Sequence, residues 1–238
     1  MDKYAYLLIS AFLFLPWVII FLSRTDLREK IIKASFLGGL AGLIANFWYF
    51  KDYWQPPSLL GHSVISIEDF LFGFVITGVA VAIYDITFTA RNIQQEKSRK
   101  GFFGILFLLG TISLLIFNNW LGFNSIFVSS FAFIIFSVVI VLIRKDLLMP
   151  SIVSGILTVL IITPIYAIIF NWVSPEYWAS YWLLAETKFG VTVLGNIPAT
   201  ELLWYFSWGC LAGIGYDFAS GTKKVTKFKN KELKNHIT

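Results

Sequence analysis

The stretch that decides the fold is Ser66-Ile67-Glu68-Asp69-Phe70-Leu71-Phe72-Gly73-Phe74, which continues through an apolar span to Tyr84-Asp85. It sets two adjacent carboxylates, Glu68 and Asp69, in the first turn of a segment otherwise suited to lipid. A charged side chain at the centre of a membrane helix costs about 2.5–3.5 kcal/mol on insertion scales, so an adjacent pair needs a reason. The same pattern returns as Pro198-Ala199-Thr200-Glu201-Leu202-Leu203-Trp204-Tyr205-Phe206, closing on Gly215-Tyr216-Asp217. Aligning Glu68 with Thr200 brings Asp69 onto Glu201, Tyr84 onto Tyr216 and Asp85 onto Asp217 without a gap. The chain is organised around these two copies.

Composition agrees with a membrane setting. The sequence is 57% hydrophobic and only 14% charged, with a mean hydropathy of +0.74. A soluble domain carries about 25% charged residues, which excludes that class. The net charge of +5 does not indicate nucleic acid, because the basic residues lie in short runs between apolar spans, as a topology signal does. The lone cysteine, Cys210, lies inside an apolar span and offers neither disulfide nor redox pair. The first apolar segment, Tyr4 to Leu22, lacks a basic leader and a small-residue cleavage site and reads as a span rather than a signal peptide.

About 20 apolar residues suffice to cross the hydrocarbon as a helix. The pattern predicts seven such spans, over 4–23, 33–50, 65–88, 101–117, 124–143, 150–172 and 197–219. Sixteen of the nineteen Lys and Arg residues then fall on one side, in the segments Arg24–Lys33, Arg91–Lys100, Arg144–Lys145 and the tail from Lys223 to Lys234. Lys3, Lys51 and Lys188 are left for the other. The positive-inside rule predicts a multi-pass cell-membrane protein with its N-terminus outside and its C-terminus cytoplasmic.

Spans one to three and five to seven share an order: a span, an Arg-x-Asp-Leu turn (Arg24–Leu27 and Arg144–Leu147), a span, an aromatic loop and the acid-bearing span. The expected fold is therefore all-α, with two parallel three-helix repeats, 1–90 and 124–219. They are joined by a linking region, 91–123, whose fourth span restores the orientation, and a basic tail follows over 220–238. Repeats of this kind place a site between the halves. Gly38 with Gly42, and Gly209 with Gly213, have the spacing that lets helix backbones approach.

The aromatic loops hold Trp48 and Trp54 in the first half and Trp178 and Trp182 in the second. They read either as an interfacial aromatic belt or as a lid over a cavity. On a helix Glu68 shares a face with Phe72, and Glu201 with Trp204, Tyr205 and Trp208. Burial among such groups favours the neutral, proton-carrying form of a carboxyl, the state a general acid needs. Aromatic faces stabilise a developing cation by about 2 kcal/mol or more when desolvated. This combination suits protonation of an apolar alkene, cyclisation of the carbocation and loss of a proton. The competing reading makes Glu68, Asp69 and Glu201 helix-capping residues. Asp85 and Asp217, beside basic segments, are expected to be salt-bridged or solvated. No nucleotide or flavin motif is present, and His62 and His236 are too sparse for a metal cluster, so neither cofactor nor metal is expected. The last span has no lysine, which argues against a retinal Schiff-base pigment.

With its doubled acid motifs, aromatic loops and terminal Tyr-Asp pairs, the sequence resembles the integral-membrane lycopene cyclases, which occur as two small subunits or as one fused chain. The resemblance implies a fused, cofactor-independent cyclase that forms β-ionone-type rings on a carotenoid in the bilayer. It implies Glu68, Asp69 and Glu201 as proton-handling residues, with Glu68 leading and the loop and helix aromatics binding the polyene. Ser66 stands where the family motif has proline, and Thr200 where the second copy has its first glutamate. A terpenoid cyclase, a carotenoid hydratase and a non-catalytic polyene-binding protein are the alternatives.

Overall fold

The computed structural model describes residues 1–59, 61, 64–89, 91–94, 97–99 and 101–225. His62, His236, Lys100 and the lysines beyond Lys224 lie outside the described residues. Eight helices follow in order: α1 Asp2–Ser23, α2 Arg28–Asp52, α3 Ile67–Thr87, α4 Gly101–Ser113, α5 Ser125–Ile143, α6 Leu148–Ile168, α7 Tyr177–Tyr181 and α8 Ala199–Ser220. π-helical turns extend α4 over Leu114–Trp120 and α6 over Ile169–Val173.

Among the described residues six helical stretches are long and apolar enough to cross a membrane: Asp2–Ser23, Thr25–Asp52, Ile67–Thr87, Gly101–Trp120, Ser125–Ile143 and Lys145–Val173. The seventh expected span folds as α8, which is as long as α1. Thr200, Glu201, Ser207 and Asp217 make it more polar, and all four are buried inside the protein. The second span also starts earlier than expected, because Lys30 belongs to α2 and is buried there.

The two Arg-x-Asp-Leu turns fold alike. Arg24 and Arg144 leave the α-helical region (φ/ψ −125°/80° and −128°/82°), and each is followed by one 3-10 turn. In both, the guanidinium forks onto the aspartate two residues on, with Nε–Oδ1 at 2.8 Å for Arg24–Asp26 and for Arg144–Asp146. A planar fork on a carboxylate holds a reverse turn rigidly.

Helices α3 and α8 form the centre. Asp69 and Glu201, at their starts, line one chamber. Asp85 and Asp217, near their ends, hold one lysine, so the two helices run parallel and side by side. Helix α2 packs on α3, and α6 on α8, through the small residues singled out in the sequence. A Cβ on Gly42 would stand 2.6 Å from the Asp69 carbonyl oxygen, and one on Gly213 2.3 Å from Ser154. Gly38 meets Thr77, whereas Gly209 meets Thr158, so the glycine and the threonine exchange helices between the halves. We expect Gly209→Leu to lower the thermal unfolding midpoint in detergent, since overpacking costs about 1–3 kcal/mol. Gly104→Leu on α4, where a Cβ meets nothing within 4 Å, leaves the midpoint unchanged. Equal midpoints for both variants would refute this packing.

Short strands, unforeseen in the sequence, close the two ends. Arg91–Gln94 (β1) pairs antiparallel with Thr222–Val225 (β4), tying the segment after α3 to the segment after α8. Thr192–Val193 (β2) pairs with Ile197–Pro198 (β3) ahead of α8.

Candidate functional site

Each acid-bearing helix begins in its own way. Ser66 caps α3 in a capping box: its hydroxyl accepts the Asp69 N–H, and the Asp69 carboxylate accepts the Ser66 N–H at 2.9 Å. Asp69 Oδ2 also accepts from the Ser66 hydroxyl at 2.8 Å and from Asn46 Nδ2 at 3.0 Å. The Tyr6 phenol donates to the same carboxylate. Asp69 therefore caps its helix, as the bland reading expects, and lines the chamber as well. In the second half Pro198 occupies the cap position and makes no side-chain cap bond.

Glu201 sits in a cage of phenols. Tyr53 donates to Oε1 at 2.6 Å and Tyr166 to Oε2 at 2.9 Å. The hydroxyls of Tyr166 and Tyr205 are bonded to each other, and the Tyr53 oxygen lies 3.0 Å from Thr200 Oγ1. Burial, with the Glu201 carboxylate second, pushes the Tyr53 phenol well above its ordinary range, so it keeps its proton and remains a donor. Asn46 and Tyr166 lie the same distance along the chain beyond Arg24 and Arg144. Each holds the acid of its own half.

The two carboxylates that share the chamber are thus Asp69 and Glu201. Glu68 is buried but turned away: its Oε1 accepts the Leu59 N–H at 2.7 Å, and it does not line the chamber. Consecutive side chains leave an α-helix about 100° apart, and here Asp69 lines the chamber while Glu68 turns to the Leu59 backbone. Of the adjacent pair prominent in the sequence only Asp69 lines the chamber, and Glu201 joins it there from α8.

Aromatic residues wall the chamber. Phe72, Trp204, Tyr205 and Trp208 line it as expected, together with Trp54. Phe72 lies 6.1 Å from Tyr205 and 6.3 Å from Trp204 between ring centroids. The Trp204 indole N–H donates to the Tyr49 hydroxyl at 2.8 Å, which donates to Ser129 at 2.9 Å. Trp178 and Trp182 stand behind this wall. The loops of the two halves pair through their backbones, Gln55 N–H to Tyr181 O and Leu183 N–H to Tyr53 O, each at 2.9 Å. Trp54 then stacks on Trp178 at 5.7 Å. These loops form a buried cap over the chamber. Trp48 lines an outer groove instead.

Sequence reasoning missed Tyr6, Asn46, Tyr49, Tyr53 and Tyr166. An amide or phenol inside an apolar span was the available signal, as at Asn46 and Tyr166. Asp85 and Asp217 form a buried cluster, with Asp85 about 24 Å along α3 from Asp69 at 1.5 Å rise per residue. Lys30 Nζ lies 2.8 Å from Asp85 and 2.9 Å from Asp217, and Lys224 Nζ 2.7 Å and 3.0 Å from the same two. Of the two roles expected for these aspartates, ion pairing is the one realised. Lys30, which the sequence reading gave to a basic loop, supplies the pairing.

Long apolar helices around an aromatic-walled chamber lined by two carboxylates are the build of a multi-pass membrane protein with an apolar cavity. A family model described as lycopene cyclase matches residues 3–87 and 124–219. The chain belongs to the lycopene cyclase family, and with it to cyclases of the isomerase type in carotenoid biosynthesis. Comparison with curated proteins and with solved structures gives no significant match.

Proposed function

We propose that the protein is a fused lycopene cyclase that closes β-ionone-type rings without a cofactor, using Asp69 and Glu201 as its proton-handling pair. The observation carrying this reading is the single apolar chamber lined by both carboxylates, in a chain of this family. Asp69 is the acid: Oδ2 accepts three bonds from Ser66 and Asn46, the Tyr6 phenol donates to the same carboxyl, and the proton is carried on Oδ1. That proton adds to the terminal carbon–carbon double bond. The electrons of a neighbouring double bond then close a six-membered ring and move the positive charge onto it. Phe72, Trp204 and Tyr205 face the cation with their rings. Glu201 takes a proton from a ring carbon next to the charge, and the new double bond forms there. One proton enters and one leaves, so mass and oxidation state are conserved. Glu68 holds the loop at Leu59 and supports the chamber from outside.

In this reading α8 is the seventh span, the segments 1–90 and 124–219 are parallel repeats, and α4 is the linking helix. The N-terminus lies outside and the basic end is cytoplasmic, where Lys30, Lys224 and Arg144 cluster. The trapped end of the polyene thus lies toward the outer face.

Expression in a lycopene-accumulating bacterium, with chromatography and mass analysis of the pigment, tests the proposal. A product of equal mass absorbing at shorter wavelength is expected. A product heavier by one water would make the protein a hydratase, and unchanged lycopene from well-inserted protein would leave only polyene binding.

A further inference from the structure

The chamber is not isolated. It adjoins a larger groove between α2, α4, α5 and α8, and Gly38, Ala41, Ala45, Thr77, Phe133 and Trp208 line both spaces. The chamber's volume is about 80 Å³ and that of the groove about 510 Å³. No charged side chain lines the groove among the described residues. Along α2 it reaches from Ala34 to Tyr49, about 22 Å at the α-helical rise. Small residues in its walls, Ala132 on α5 and Ala212 on α8, leave it space. Trp54 lines the chamber but not the groove, and is itself packed on the buried Trp178.

From this shape we infer that the groove holds the extended chain of the polyene while one end occupies the chamber, so that only one end is processed per visit. The inference rests on the cyclase reading and deepens it. A chamber with room for an end group needs a separate, uncharged channel for the remaining carbon chain. A chamber that adjoins the groove on one side and is lined by Trp54 beyond it admits that end head-first. Both carboxylates face this one chamber, so the two halves make one site and not two. A product with two rings then requires the one-ring intermediate to back out, turn round and re-enter. Helix α4 is a wall of the channel: Leu106, Phe107 and Gly110 face it, whereas Ile105, Leu108 and Leu109 are exposed on its outer side.

Ala212→Trp, with Ala132→Phe on α5 as a second variant, fills the groove without touching the chamber. Each variant is assayed on lycopene and on a truncated acyclic isoprenoid hydrocarbon with the same end group. We expect lycopene turnover to fall at least tenfold and turnover of the short substrate to stay within twofold of the parent. Retention of both activities in both variants overturns the groove, as does loss of both in protein that unfolds at the parental midpoint. If the parent converts neither substrate, the cyclase reading fails by itself. Lycopene quenching of tryptophan fluorescence then decides the groove: quenching weakened by Ala132→Phe, which leaves the tryptophans unchanged, keeps it, and unchanged quenching removes it. A time course with excess lycopene supplies the remaining check. Free one-ring product should build up before two-ring product, and two rings formed in the first turnover with no free one-ring product would overturn the single-visit order.

Discussion

Asp69→Asn is expected to lower ring formation about 10²–10⁴-fold, the range that general acid–base groups supply. Glu201→Gln is expected to fall by a similar factor, because the amide keeps the shape of the phenol cage and loses the base. Glu68→Gln should stay within a few-fold of the parent, because this side chain is bonded to the Leu59 N–H outside the chamber. The three variants therefore separate a sequence reading, in which the adjacent Glu68–Asp69 pair acts together, from a structural one, in which the pair is Asp69 and Glu201. Pigment composition in cells and initial rates in reconstituted vesicles give the measurement. Thermal unfolding run in parallel separates lost chemistry from a lost cap, since capping bonds are worth about 1 kcal/mol. An inactive Glu68→Gln beside an active Asp69→Asn would reverse the assignment.

Lys30→Met is expected to be among the most destabilising single changes in the protein. Lys30 bridges Asp85, from the first matched segment, and Asp217, from the second; all three are buried. With Lys224 the cluster holds two positive and two negative charges. Removing one cation leaves a carboxylate uncompensated in a low-dielectric setting, which costs about 3–5 kcal/mol. The thermal midpoint in detergent should drop steeply. Adding Asp217→Asn to Lys30→Met restores the charge balance and should recover a large part of the loss. A Lys30→Met protein as stable as the parent, or a double variant no better than the single, would show that the four groups do not form a closed network. The cluster lies far from the chamber, so the double variant should keep its ring-forming activity once folded.

Much of the architecture follows from the order of residues alone. Length and apolarity dictate the spans, since a helix must satisfy its own backbone in lipid. The matching acid motifs, Arg-x-Asp-Leu turns and aromatic loops expose the doubled layout without a coordinate. The Gly38/Gly42 and Gly209/Gly213 pairs mark where helices touch, because only a missing Cβ allows that approach. Even the walls Phe72, Trp204 and Tyr205 are legible, because they follow an acid at helical spacing. What one-dimensional spacing does not carry is which way a residue turns relative to another helix. Neighbours in the chain diverge on a helix, so Glu68 and Asp69 part. Residues far apart converge where α3 and α8 lie side by side, so Asp69 and Glu201 line one chamber. The phenols on Glu201 come from Tyr53, just past the end of α2, and from Tyr166 on α6, and no local pattern links them. Lys30 reads as one more basic loop residue until two aspartates close on it. Sequence by itself determined a membrane bundle with acids in aromatic surroundings, because burial and periodicity are local properties. Tertiary structure alone decided which carboxylates share a chamber and which lysine is locked in the core, because these depend on packing between helices.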